Sequence, residues 1–199
     1  MLYDFGSELQ DNTERVVLKT ARLVLRPPLA SDAKAIARLA NDRRIAENLR
    51  RLPHPYSRSD AEAFLDSLEA SDRERVFLIE AESVPLGMIG LDFSHDEAPE
   101  IGYWLGVAHW GKGFATEAVR AVIDYAFEEF PADELYAGAR VTNPASRRVL
   151  EKCGFQWTGV GLYRFVALAS STPVDRFRLN RGIWRSLKAW GQSPTRRLS

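Results

Sequence analysis

Histidine and cysteine are scarce in this 199-residue chain: it has three of the first and one of the second. The lone Cys153 excludes an intramolecular disulfide and makes a reducing compartment the simpler expectation. So few soft ligands also argue against a metal site. Neither sign of charge is in excess, since 27 basic side chains are matched by 27 acidic ones. That balance removes any overall electrostatic case for nucleic acid or an anionic membrane. No apolar run approaches the ~20 residues of a membrane span. Met1 to Arg15 carries acids and amides where a signal peptide needs an apolar stretch. These absences predict a cytoplasmic globular protein with no nucleic-acid or membrane partner; a monomer or homodimer is expected alongside, though no absence dictates it.

What is present is a sizeable apolar fraction, 45% of residues, enough for one full core. Residues 1–18 read as a loose arm, 19–191 as one domain and 192–199 as a basic tail. Leu23 and Leu25 predict a strand that Pro27-Pro28 ends. Ser31-Asp32 caps a helix with Ile36, Leu39 and Ala40 on its apolar face, Arg43 to Leu49 forms a second, and Ser59 opens a third. Val76 to Ile79, Leu86 to Leu91 and Ile101 to Val107 form a meander. A long helix runs from Gly113 to Phe130, followed by a strand from Leu135 to Val141. Asn143-Pro144 starts another helix, which Gly154 stops. Phe155 to Val166 and Val174 to Leu179 close the sheet across a Ser/Thr-rich loop, Ala169 to Pro173, and Trp184 to Trp190 forms a terminal helix. The order predicts one α+β domain with a mixed sheet.

The turn Gly106-Val107-Ala108-His109-Trp110-Gly111-Lys112-Gly113-Phe114-Ala115-Thr116 joins a strand to the long helix. Glycine lets backbone N–H groups approach an anion, and the helix start adds free donors and a positive dipole end. Four residues separate Gly106 from Gly111-Lys112, as in a Walker loop, but Gly113 stands where Ser or Thr would hold magnesium. A dinucleotide fingerprint lacks its third glycine at Thr116. The alternative is a structural turn that binds nothing.

A second segment adds a resemblance. Trp110-x-x-Gly113-x-Ala115 and then Asn143, Ser146, Glu151, Lys152, Gly154 and Phe155 together resemble the acetyl-CoA-binding halves of the GCN5-related N-acetyltransferase (GNAT) superfamily. The family's phosphate loop starts with Arg or Gln, and Trp110 replaces it here. Thr20-x-Arg22-Leu23-x-Leu25-Arg26-Pro27, Trp110-Gly-x-Gly-Phe-Ala-Thr-Glu-Ala118 and Asp175-x-Phe177-x-Leu179 look like the branch of ribosomal-protein N-terminal alanine and serine acetyltransferases. The resemblance spans about residues 20 to 185. It implies a single domain with a mixed, mostly antiparallel sheet flanked by helices and a V-shaped splay between central strands. It also implies acetyl-CoA as co-substrate and direct transfer to a primary amine. A protein or peptide N-terminal α-amine is the leading acceptor, and small amines remain open. A non-catalytic acyl-CoA sensor is the alternative.

By the same resemblance, Leu105, Gly106 and Val107 offer a strand edge to the pantetheine amides. Trp110, Gly111, Lys112, Gly113, Phe114, Ala115 and Thr116 surround the pyrophosphate, and Asn143, Ser146 and Arg147 line the cofactor from the next helix. Arg147 and Arg148 are candidates for the adenosine phosphate, or simply solvated helix charges. Glu100 is the first candidate for base or water relay, with Asp92, Asp96, Glu97, His95 and His109 as rivals. Many relatives place a tyrosine seven residues after the motif asparagine as the thiol's acid; that position is Leu150 here. Ser146 is the substitute as a hydrogen-bond donor, ahead of Tyr163. Arg44, Asn48, His54-Pro55-Tyr56, Phe93, Tyr103, Trp157 and Arg164 are acceptor-site candidates.

Overall fold

A computed structural model describes residues 16–71, 73–94 and 98–191. Eight strands form a single sheet: β1 (Leu18–Lys19), β2 (Val24–Arg26), β3 (Glu74–Ala81), β4 (Val84–Asp92), β5 (Glu100–Leu105), β6 (Glu134–Arg140), β7 (Gln156–Phe165) and β8 (Ser170–Asn180). Their spatial order is β1-β2-β3-β4-β5-β6-β8-β7. Every pairing is antiparallel except that of β5 with β6. Six α-helices accompany them: α1 (Ala33–Ala40), α2 (Arg43–Ala46), α3 (Arg58–Glu69), α4 (Phe114–Glu129), α5 (Pro144–Lys152) and α6 (Arg181–Gly191).

The α+β expectation is met, with local corrections. Leu18 belongs to the sheet, so a loose arm cannot extend to residue 18; residues 1–15 and 192–199 lie outside the described chain. The expected second helix is one turn, α2, capped by Asp42, whose carboxylate accepts from the Arg44 amide. Ser57 rather than Ser59 caps α3, because Ser57 and Asp60 satisfy each other's backbone N–H in a capping box. The Ser/Thr-rich stretch is strand, not loop: Phe165 pairs with Ser170 and Leu162 with Pro173. Pro173 is tolerated because its carbonyl, not its missing N–H, makes the bond to Val141, at 3.2 Å.

Two cores sit on the two faces of the sheet. α4 buries Val119, Val122, Ile123 and Phe127 against Leu25, Ile79, Leu91 and Ile101 on one face. On the other, Ile36 of α1 and Leu65 of α3 cover Leu78 and Met88. Burying each such side chain contributes roughly 1.5–3 kcal/mol. The C-terminal end of α4 is closed by one side chain: Arg181 donates to the carbonyls of Phe127, Phe130 and Ala132 at 2.5, 2.7 and 2.8 Å. A cation there also opposes the helix dipole.

The feature that positions the site is the junction of β5 and β6. They pair only at Glu100 with Tyr136 and at Ile101 with Ala137, and then part. The rest of β5 keeps β4 on one side and has no strand on the other. This is the V-shaped splay expected above.

Candidate active site

The splay opens into a cavity of about 1220 Å³ that runs from the glycine turn to the loops after α2. Pairing of Gly102 and Trp104 with β4 leaves the backbone of Tyr103 and Leu105 aimed into the gap. Of the expected edge, only Leu105 offers an amide there. Gly106 N–H is bonded to Leu86 at 2.8 Å and its carbonyl to His109 at 2.9 Å, while Val107 lies in a 3-10 turn with its carbonyl on the Trp110 amide. The useful edge is therefore Tyr103 and Leu105.

At the open end, Gly111 and Gly113 have φ of 74° and 81°, the left-handed region that glycine reaches without strain. The amides of Gly111 through Thr116 find no acceptor among the described residues; the first helical bond runs from Glu117 to Gly113. Six free donors at the start of a sixteen-residue helix form an anion cradle. The cradle is braced from behind. Arg22 donates to the Lys112 carbonyl at 3.0 Å and to Glu117 at 2.7 Å, and its guanidinium lies 4.7 Å from the centre of the Phe114 ring. Trp110 takes no part as an anion donor, since its indole N–H is spent on the Leu105 carbonyl at 2.7 Å. The Lys112 side chain is exposed on the turn. These residues fit a pyrophosphate held by backbone alone.

Ser146 reaches the same cavity from the first turn of α5, where Asn143 accepts the Ser146 amide at 3.1 Å. Its hydroxyl is 2.9 Å from that of Tyr103. Burial pushes the Tyr103 phenol well above its ordinary value, only partly offset by the bond to Ser146, so it stays protonated at neutral pH. Sequence reasoning placed Tyr103 only among the acceptor residues; its partnership with Ser146 bridges 43 residues and leaves no local signal. Arg147 does not face the cavity: it pairs with Glu151 at 3.0 Å and Asp175 at 3.3 Å, leaving Arg148 as the lining residue. Cys153 is buried, with its thiol pushed up to about 11 by burial, in keeping with a packing role.

Glu100 lies on the opposite face of β5 from Tyr103, three residues away, as period-two alternation dictates. One of its oxygens accepts from Arg50 at 2.7 Å. The other would lie 3.6 Å from a Cβ at Gly138, across the splay on β6. Arg50 also stacks 5.2 Å from the Tyr163 ring. Of the rivals, Asp92 lines the cavity and accepts the Ser94 amide, and His109 sits in the 3-10 turn with its imidazole held below its ordinary value by burial and by Lys112. His95, Asp96 and Glu97 lie outside the described residues. Among acceptor candidates, Arg44, Asn48, Tyr56 and Tyr103 line the cavity. Phe93 packs instead on Phe130, and Trp157 donates to Asp175 at 2.8 Å; His54, Pro55 and Arg164 also lie outside the lining. Arg50 and Arg140, which do line it, went unnoticed in the sequence because nothing near them in the chain marks them out.

Among the described residues no group of His, Cys, Asp and Glu is arranged to hold a metal, and no helix is long and apolar enough to cross a membrane.

Residues 22–156 match the family described as acetyltransferase (GNAT) domain. The uncharacterized N-acetyltransferase YoaA of Bacillus subtilis is 32% identical over 167 residues, covering 80% of this chain and 92% of that protein. The probable N-acetyltransferase YjcK of the same organism is 53% identical over 60 residues, which span 30% of this chain and only 33% of YjcK. Among solved structures, RimL, a ribosomal L7/L12 α-N-protein acetyltransferase in complex with coenzyme A, superposes with a TM-score of 0.74 at 17% identity. That superposition covers 83% of this chain and 98% of RimL, and it speaks to the fold.

Proposed function

Since the chain belongs to the acetyltransferase (GNAT) family and is by that membership an N-acetyltransferase, we propose that it moves acetyl directly from acetyl-CoA to a primary amine, foremost a peptide's N-terminal α-amine. The observation that carries this reading is the placement of Glu100 and the Tyr103–Ser146 pair on opposite faces of one strand at the splay. Bound acetyl-CoA supplies the thioester. The amides of Gly111 to Thr116 hold its pyrophosphate, Arg148 faces its distal phosphate, and Tyr103 and Leu105 offer strand-like bonds to its amide chain.

With the cofactor entering from the α4 side, its sulfur lies toward Tyr103 and Ser146. The Ser146 hydroxyl donates to the leaving thiolate, while the buried Tyr103 keeps its proton, donates it to Ser146 and so orients it. The amine approaches from the α2 side, where Glu100 takes its proton, directly or through a water. Arg50 fixes the Glu100 carboxylate in one orientation. A free α-amine, with a pKa near ~8, needs less help from a base than a lysine near ~10.4. That favours an N-terminal acceptor in a site whose base is already engaged by an arginine. Neither face requires a covalent enzyme intermediate.

Amine-dependent release of CoA from acetyl-CoA tests the assignment. Glu100→Gln and Ser146→Ala are each expected to lower kcat by about 10²-fold or more, with CoA affinity little changed. Full activity in both variants would overturn the catalytic assignment. Tight acetyl-CoA binding with no turnover on any amine would instead establish a sensor.

A further inference from the structure

The α2 side of the splay carries a charge imbalance that acetyl transfer itself does not use. Tyr136, Gly138 and Arg140 alternate onto one face of β6, and the register sets Arg176 of β8 opposite Gly138. Every carboxylate lining the cavity is engaged. Glu47 is held by Arg43 at 2.6 Å, Glu74 by Arg51 at 2.7 Å and Glu100 by Arg50 at 2.7 Å. Asp60 accepts the Ser57 amide and Asp92 that of Ser94, both at 2.8 Å.

Apart from Arg148 on the cofactor side, two lining guanidiniums have no such match. Arg140 gives one N–H to the Glu47 backbone carbonyl at 2.8 Å and lies 5.6 Å from the centre of the Phe165 ring, while its Nε is buried with no acceptor. Neither Arg140 nor Arg176 makes an ion pair among the described residues. Arg140 is half-buried and Arg176 exposed; a half-buried cation without a counter-charge is costly, and a ligand anion relieves that cost.

The spacing fits a particular ligand. Gly138 lies beneath the Glu100 carboxylate, and the Cα of Arg140 follows two residues along the same strand, about 7 Å from that of Gly138. An acceptor chain that runs along β6 with its α-amine at Glu100 brings the side chain of its next residue toward Arg140. We propose that the preferred acceptor is an amine carrying a carboxylate within one residue's length of the attacking nitrogen, and that Arg140, flanked by Arg176, selects it. The proposal rests on the transferase reading above. The same two charges disfavour polycationic amines.

The test uses the full chain with acetyl-CoA and three acceptors: the peptide amides Ser-Asp-Ala and Ser-Asn-Ala, and spermidine. We expect kcat/KM for the acidic peptide to exceed that for its amide twin by about tenfold, with spermidine slowest. Arg140→Gln should lower the acidic peptide's kcat/KM at least ~5-fold more than the twin's, and Arg140→Lys should restore part of the difference. Equal rates on the two peptides, a preference for spermidine, or an acidic preference surviving in both Arg140→Gln and Arg176→Gln would overturn the proposal. Should Arg140→Gln fail to fold, the wild-type peptide comparison and Arg176→Gln decide it. Absence of acetylation of all three acceptors, in a protein that CoA still stabilises, would refute the transferase reading and this proposal together. Acetylation without discrimination refutes this proposal alone.

Discussion

Glu117 is a first-turn helix residue whose carboxylate serves the connection between β1 and β2. It accepts from the Thr20 hydroxyl at 2.6 Å, the Arg22 amide at 2.9 Å and the Arg22 side chain at 2.7 Å. Burial works to raise its pKa, but the bonds from Thr20 and Arg22 outweigh that and leave it below the ordinary value. A carboxylate depressed in the folded state contributes stability that is complete above its unfolded pKa, about 4.3, and is lost as pH falls through the folded value. Glu117→Gln is therefore expected to cost about 1–2 kcal/mol at neutral pH, and less as pH drops below ~4. Urea titrations of both proteins across that range check it; a gap that stays constant with pH would refute the account. Because Arg22 also holds the Lys112 carbonyl, the variant should bind CoA more weakly as well.

At the scale of elements, α4 is fixed at both ends, by Gly113 at its start and by Arg181 at its last carbonyls. Gly113→Ala puts a Cβ on a residue at φ 81°, 3.3 Å from Arg22. The left-handed conformation costs about 1–2 kcal/mol for a non-glycine residue. Gly111→Ala, at φ 74° with nothing within 4 Å, bears the backbone cost without the contact. Calorimetry should show both variants with lower Tm and weaker CoA binding, Gly113→Ala the more so. Unchanged CoA affinity in both would remove the cradle from the cofactor site. These two turns were legible in the sequence because their signals are local: glycines needed for φ, and an Asn-Pro helix start with Ser three residues on. The splay was not readable from spacing and entered only through resemblance. The pairs Tyr103–Ser146 and Arg50–Glu100 join residues 43 and 50 apart, so no window of sequence contains them. Leu105-Gly106-Val107 looked like one uniform edge; hydrogen bonding to Leu86 and the 3-10 turn withdraw its last two members.

Across the whole molecule, the sheet consists of a five-stranded and a three-stranded part joined at two residue pairs. A ligand filling the gap touches both parts and the helix that follows, so its binding energy becomes folding stability. CoA at 100-fold over its dissociation constant should add about 2.7 kcal/mol, read as a rise in Tm that ATP or NAD does not reproduce. Stabilisation by ATP or NAD in place of CoA would refute the cofactor assignment. An unpaired strand edge ordinarily invites a neighbouring molecule to add its own strand and start an aggregate. Here the bare edge of β5 begins where β5 still pairs with β6, so it lies inside the sheet order rather than at its border and opens onto the cavity. Open hydrogen-bonding capacity is thereby kept in the middle of the protein, screened from intermolecular strand exchange.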